Sequence, residues 1–71
     1  MKLILDFEWL QVPQEDEPKR ETIFSVTHIP NVGDVIRWQL SDGELYYKVN
    51  ERQFTYNGGI LETVVCFLEK S

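Results

Sequence analysis

The sequence has 71 residues, a net charge of −5, one cysteine and one histidine. One cysteine excludes an internal disulfide, and one histidine with one cysteine cannot supply the paired ligands of a structural zinc site. The negative charge disfavours nucleic-acid binding, because counterion release from phosphates requires clustered lysine and arginine side chains. A chain of this length predicts a single domain over residues 1–71.

Residues 2–12 alternate between apolar and polar side chains, which predicts the first β-strand. One face of this strand would carry four apolar side chains: Leu3, Leu5, Phe7 and Trp9. Asp6 and Glu8 interrupt the apolar run too early for a signal peptide. No segment approaches the roughly 20 apolar residues of a membrane span. We therefore expect a cytoplasmic protein that does not enter a membrane.

A polar connection bracketed by Pro13 and Pro18 follows the first strand. Proline cannot donate to a central β-ladder, so both prolines fit a loop or a strand end. The connection contains three consecutive acidic residues: Glu15, Asp16 and Glu17. A second β-type segment then runs over residues 20–28. The pattern predicts a long N-terminal hairpin over residues 2–28 with an acidic tip.

The middle of the chain predicts a second hairpin over residues 34–50. A turn cluster at 29–34 precedes a predicted strand at 34–40. Asp42-Gly43 follows, and this dipeptide is typical of a type I′ turn, in which both central residues have positive φ. The next predicted strand runs over residues 44–56.

Within the strand at 44–56, the apolar residues change from odd to even positions. Leu45, Tyr47 and Val49 are odd, whereas Phe54 and Tyr56 are even. One extra residue transfers the following side chains to the other face of a sheet. The sequence therefore predicts a β-bulge or a sharp bend between residues 50 and 53.

A second turn signal, Asn57-Gly58-Gly59, leads into a predicted strand at 60–69 and closes a hairpin over residues 44–69. Residues 63–68 are apolar on both faces, which indicates a strand deep in a closed sheet or a face that meets a partner. Symmetric dimers are the commonest oligomers, so one predicted partner is a second copy bound through strand 60–69.

These five strands predict an all-β fold, either a small five-stranded antiparallel SH3-like barrel or a strongly bent meander sheet. A closed barrel is favoured because it removes exposed strand edges. Val-Gly-Asp-Val-Ile-Arg-Trp at 32–38 and Asp-Gly-Glu-Leu-Tyr-Tyr-Lys-Val at 42–49 resemble the opening of Tudor-type domains. This resemblance over residues 32–49 implies an SH3-like barrel that holds a modified peptide or small ligand in an aromatic cage.

Two groups of side chains are candidates for binding. The first group is aromatic and consists of Trp38, Tyr46, Phe54 and Tyr56. It would attract a methylated cation or a peptide if the rings surround an open pocket, or pack in the core if they do not. The second group is the acidic tip, which would recognise a basic partner or remain a solvated turn.

No constellation in the sequence predicts catalysis. His28 stands at a strand end without a nucleophile, and Cys66 lies mid-strand among apolar residues, where thiols are inert. The acidic tip lacks the glycine of a calcium loop, so no metal or other cofactor is expected. We predict a non-enzymatic, small acidic protein–protein interaction module. In size and composition it resembles inhibitors and accessory proteins of phages and mobile elements, with the Tudor-like module as the alternative.

Overall fold

The computed structural model is all-β and describes residues 1–24 and 26–71. It contains the five strands Lys2–Asp6 (β1), Arg20–Ile23 (β2), Val35–Leu40 (β3), Gly43–Asn57 (β4) and Ile60–Lys70 (β5). The strands form one sheet in the order β2-β1-β5-β4-β3, which curls into a half-barrel. In the part of the chain that is described, no helix is long and apolar enough to cross a bilayer. The predicted all-β class and the number of strands are confirmed.

The predicted strictly antiparallel arrangement is wrong, because β1 pairs with β5 in parallel. The other neighbouring strands pair antiparallel. The parallel contact lies in the middle of the sheet rather than at a barrel seam.

β1 ends at Asp6, whereas the alternation predicts a strand through residue 12. The backbone N–H of Glu8 donates to Oδ1 of Asp6 at 2.9 Å, and the side-chain amide of Gln11 donates to the backbone carbonyl of Phe7. These local hydrogen bonds end the extended conformation. Trp9 consequently leaves the core face, and its ring centroid lies 5.6 Å from that of Phe67 on the other face of the sheet.

β2 also ends earlier than predicted, at Ile23 instead of residue 28. Phe24 follows it and is exposed, and Ser25 in the predicted strand lies outside the described residues. The connection at 26–34 then crosses from the β2 edge of the sheet to the β3 edge. Val26 and Ile29 pack against the core from this connection.

The core lies between the concave face of the sheet and this crossing connection. Its buried side chains come from β1, β4, β5 and the residue after β1: Leu3, Leu5, Phe7, Tyr47, Val49, Val64, Cys66 and Leu68. The Phe7 ring makes edge contacts with Tyr47 at 4.7 Å and Trp38 at 5.1 Å between centroids. Such edge-to-face aromatic pairs add about 0.5–1.5 kcal/mol each beyond the area that they bury.

The predicted β-bulge is confirmed at Asn50. Val49 pairs with Leu68 and Glu51 with Phe67, so Asn50 is the additional residue on β4. A second register shift lies near the hairpin end, between Thr55 and Tyr56. The first bulge turns Phe54 towards the same face as Val64, its cross-strand partner, as the change of parity in the sequence indicates.

Of the two hairpin turns that the sequence predicts at glycines, only the one at residues 57–59 has positive φ values. Gly58 and Gly59 have φ values of 59° and 81° and connect Asn57 to its partner Ile60. At Asp42-Gly43 the predicted type I′ turn is wrong, because neither residue has positive φ. Leu40 pairs with Gly43, so the register of β3 and β4 places Ser41 and Asp42 at the centre of that turn.

The two turns provide a matched test of backbone strain. Gly59→Ala is expected to lower the free energy of unfolding by about 1–2 kcal/mol, because a side chain disfavours positive φ. Gly43→Ala is the control, since its φ is ordinary and neither position has an atom within 4 Å of an added Cβ. Urea titration measures both variants. An equal loss in the two variants would contradict the assignment of strain to φ.

Candidate functional site

Glu17 in the predicted acidic tip is held by the protein itself. Nζ of Lys70 forms an ion pair with its carboxylate, and the N–H of Gln14 donates to Oε1 at 2.9 Å. The Glu17 side chain is only 10% exposed, whereas Glu15 and Asp16 are exposed. The carboxylates available to a partner are therefore those of Glu15 and Asp16.

The side chain of Gln11 attaches the same loop to the end of β5. The side-chain nitrogen of Gln11 donates to the backbone carbonyl of Leu68 at 3.2 Å. The side-chain oxygen of Gln11 accepts a hydrogen bond of 3.2 Å from the backbone N–H of Lys70. Together with the Glu17 ion pair, these contacts hold the acidic loop, residues 13–19, at the end of the sheet where β5 finishes.

The hydrogen bonds that Glu17 accepts lower the pKa of its carboxyl group. The N–H of Gln14 and the ammonium of Lys70 stabilise the ionised carboxylate, so the pKa of Glu17 is below its ordinary value. The same contact raises the pKa of Lys70. Both residues are charged at neutral pH, and the attachment of the loop is complete there.

Trp38 and Tyr46 lie on opposite faces of the sheet. Trp38 pairs with Leu45 on the core side, where its half-buried ring contacts Phe7. Tyr46 is the next residue along β4 and is exposed on the other face. Its hydroxyl donates to the carboxylate of Glu44, which raises the pKa of the phenol. These two rings do not enclose a common ligand.

Phe54 and Tyr56 are distant from the other two candidate rings. Phe54 is nine residues beyond Leu45, the partner of Trp38, which corresponds to roughly 30 Å along a strand. The guanidinium of Arg52 lies 5.3 Å from the centroid of the Phe54 ring. The structure thus brings Phe54 and Tyr56 together and separates both from Trp38 and Tyr46.

Other exposed apolar side chains share one end of the sheet with Phe54 and Tyr56, opposite the acidic loop. We call this group the apolar end: Met1, Phe24, Phe54, Tyr56 and Ile60, which are between 42% and 76% exposed. Strand pairing assembles it, since Lys2 lies opposite Thr63 and Leu3 opposite Ile23. Three of its members, Met1, Phe24 and Ile60, also line one open depression in the surface.

Sequence reasoning missed Met1, Phe24 and Ile60 as candidate binding residues. They belong to three separate parts of the chain, and only the pairing of β1 with β2 and with β5 brings them close. The exposure of Phe24 follows from the early end of β2 at Ile23. No local pattern in the sequence signals either effect.

The two side chains with reactive potential, Cys66 and His28, lie in different environments. Cys66 is fully buried, and burial raises the pKa of its thiol, which keeps the sulfur protonated. His28 is exposed on the crossing connection. Within residues 1–24 and 26–71, no three His, Cys, Asp or Glu side chains gather as a metal site would require.

β5 lies in the interior of the sheet, and this position limits how the predicted dimer through strand 60–69 could form. Its residues 63–67 pair with β1 on one side and with β4 on the other. The backbone of this stretch is therefore already hydrogen-bonded within the chain. A dimer through β5 would have to use side chains on its outer face, where Phe67 contacts Trp9.

No protein-family model, curated protein or solved structure matches this chain. Two features of the surface, at opposite ends of the sheet, are candidates for binding. Lys70, which holds the acidic loop, and Val64, the partner of Phe54, are both on β5. Their separation along the strand is roughly 20 Å. The surface accordingly has an acidic end and an apolar end.

The low pKa of Glu17 predicts an acid-sensitive contribution to stability. A carboxylate with a lowered folded pKa stabilises the fold fully above its unfolded value, near 4.5, and loses this contribution as the pH falls further. We expect Glu17→Gln to reduce the slope of unfolding free energy against pH in that acidic range. Glu15→Gln is the control, because the described residues show no ion pair to Glu15. Equal slopes in both variants would contradict the role of Glu17.

Proposed function

We propose that this chain is a small acidic protein–protein interaction module, of the inhibitor or accessory-protein kind found in phages and mobile elements. The observation that carries the proposal is the apolar end, where five large apolar side chains at one end of the sheet are exposed and three of them line one depression. Contiguous exposed apolar patches on small proteins mark interaction surfaces. We also propose that the half-barrel is related to SH3-like folds, on the resemblance over residues 32–49.

The chemistry of the apolar end fits the anatomy of a protein interface. Phe54 and Tyr56 are aromatic anchors, and aromatic residues are enriched among those that dominate binding energy. Lys2 and Glu62 line the depression beside Met1, Phe24 and Ile60 and supply polar groups there. Apolar anchors inside a polar rim are typical of protein-binding patches.

The acidic loop is the second element of the proposal. Glu15 and Asp16 are free to attract a basic partner, while Glu17 keeps the loop attached to β5. Charges at the rim of an interface mainly accelerate encounter and suppress wrong partners. A partner that contacts both ends of the sheet would combine a basic region with an apolar surface.

The proposed role is non-enzymatic and requires no cofactor. The buried, protonated thiol of Cys66 is a poor nucleophile, and His28 is exposed on the crossing connection. We propose a cytoplasmic location and a protein partner, because the charge of −5 repels both phosphate backbones and anionic lipid surfaces.

Affinity purification from the native cell lysate, with and without nuclease, tests the proposal. We expect one protein to be captured in stoichiometric amount and to survive nuclease. Tyr56→Ser and Ile60→Ser should each weaken capture at least about tenfold, because they remove anchors of the apolar end. Val12→Ser is the matched control, since Val12 is exposed but lies outside the apolar end. Equal capture by all variants would contradict the proposed surface.

The acidic loop is tested by a charge reversal that leaves Glu17 unchanged. The double variant Glu15→Lys and Asp16→Lys is expected to slow association with a basic partner and to flatten its dependence on salt. Surface plasmon resonance at several ionic strengths measures both effects. Unchanged association rates would show that the loop is a solvated turn.

The alternative function is a Tudor-like module for a modified peptide, and one contact favours it. The Arg52 guanidinium lies 5.3 Å from the centroid of the Phe54 ring, which supports the idea that this ring attracts cations. Tyr56, two residues further along β4, is the second ring available. A methyl-lysine or methyl-arginine peptide should then shift the resonances of Phe54 and Tyr56 in an NMR titration. Absence of any shift would remove this alternative.

A further inference from the structure

The outer edge of β4 beyond Val49 has no neighbouring strand. β3 pairs with β4 only over residues 43–48, and the turn at 31–34 exchanges backbone hydrogen bonds of 2.8 and 2.9 Å with Val49. Among the described residues, no backbone group pairs with this side of β4 over residues 50–57. The second half of a long strand is therefore an open edge.

Backbone alternation identifies the free hydrogen-bonding groups on this edge. Asn57 and Ile60 flank a two-residue turn, so their backbone groups point towards each other across the hairpin. Successive residues of a strand point their N–H and C=O groups to opposite sides. The residues whose backbone groups point outward are therefore Arg52, Phe54 and Tyr56.

The other two strand edges are less suited to pairing with their own copies. β2 is only four residues long and begins with the charged Arg20 and Glu21. On β3, Leu40 pairs with Gly43, so the backbone groups of Leu40 point inward. By the same alternation the backbone groups of Arg37 point outward, and Arg37 is the middle one of three such residues. A symmetric pair centred there would place Arg37 opposite its own copy, which is unfavourable.

We propose that a second copy of this chain binds antiparallel along residues 52–56 of β4, about a two-fold axis at Phe54. This register pairs both backbone groups of every outward residue. It places Phe54 opposite its own copy and Arg52 opposite Tyr56, so no like charges lie directly opposite each other. Residues 52–57 contain no lysine or proline, the residues with which proteins commonly protect an edge.

The distribution of charge supports this contact and predicts its response to salt. Each copy carries −5, but the acidic loop is held at the far end of the sheet, roughly 20 Å from Phe54. The two copies repel at long range while their contact surface is nearly neutral. Salt screens this repulsion, so self-association should strengthen from low to physiological ionic strength. Binding of a basic partner by the acidic loop would weaken over the same range.

Light scattering after size-exclusion chromatography, over a series of protein concentrations, tests the proposal. We expect a monomer–dimer equilibrium that Phe54→Lys weakens at least about tenfold, because two ammonium groups would face each other across the axis. Phe24→Lys is the matched control, since Phe24 is at the apolar end but away from the β4 edge. Equal weakening by both variants would overturn the proposed edge.

Amide hydrogen exchange provides a readout that a general apolar association would not reproduce. As protein concentration rises, exchange should slow at the amides of Arg52, Phe54 and Tyr56. The intervening amides of Gln53 and Thr55, which face β5, should not change. A strict monomer at every concentration would overturn the proposal. This holds even if an unrelated extended peptide protects these amides, because the edge would then bind strands other than its own copy.

Because the second copy would occupy part of the apolar end, this inference rests on the same surface as the proposed function. The two fail in different ways. If the chain is monomeric and Tyr56→Ser still loses a captured partner, self-pairing is wrong and the interaction module stands. If dimers form through β4 and no other protein is captured, self-pairing stands and the proposed function is wrong.

Discussion

The parallel contact between β1 and β5 is the interaction on which the rest of the structure depends. It places Leu3 and Leu5 beside Val64 and Cys66 at the centre of the core. Each fully buried side chain of this size contributes about 1.5–3 kcal/mol. Within residues 1–24 and 26–71, the β1–β2 pair and the β3–β4–β5 meander share no other strand pairing. The acidic loop and the apolar end both follow from this contact, because it aligns the two parts in one sheet.

The bulge at Asn50 divides β4 into two halves with different roles. Before it, Tyr47 and Val49 are buried beneath the crossing connection. After it, Phe54 and Tyr56 point to the same side of the sheet but extend beyond β3 and remain exposed. A single strand therefore supplies both part of the interior of the fold and two exposed aromatic side chains. The bulge allows this because it keeps large side chains on one face while the strand outgrows its neighbours.

Local patterns in the sequence predicted strand positions well and side-chain environments less well. Alternation located all five strands, and the parity change in 44–56 located the bulge. The same alternation misplaced Trp9, because a local hydrogen bond from the N–H of Glu8 to Asp6 lies where β1 ends, and no apolar pattern indicates such a contact. The separation of Trp38 from Phe54 and the attachment of Glu17 to Lys70 depend on strand pairing between distant residues. Sequence spacing alone contains no information about those contacts.

The central position of the β1–β5 pair has a consequence for how the chain folds. The first strand finds its main neighbour only in the last strand, so the contact that completes the core closes nearly the whole chain into a loop. Contacts between residues so distant in sequence slow folding, because the entropy of loop closure is lost before burial compensates for it. During synthesis, the edge of β1 that pairs with β5 stays open until β5 has left the ribosome. The chain is therefore most vulnerable to wrong association while it is being made.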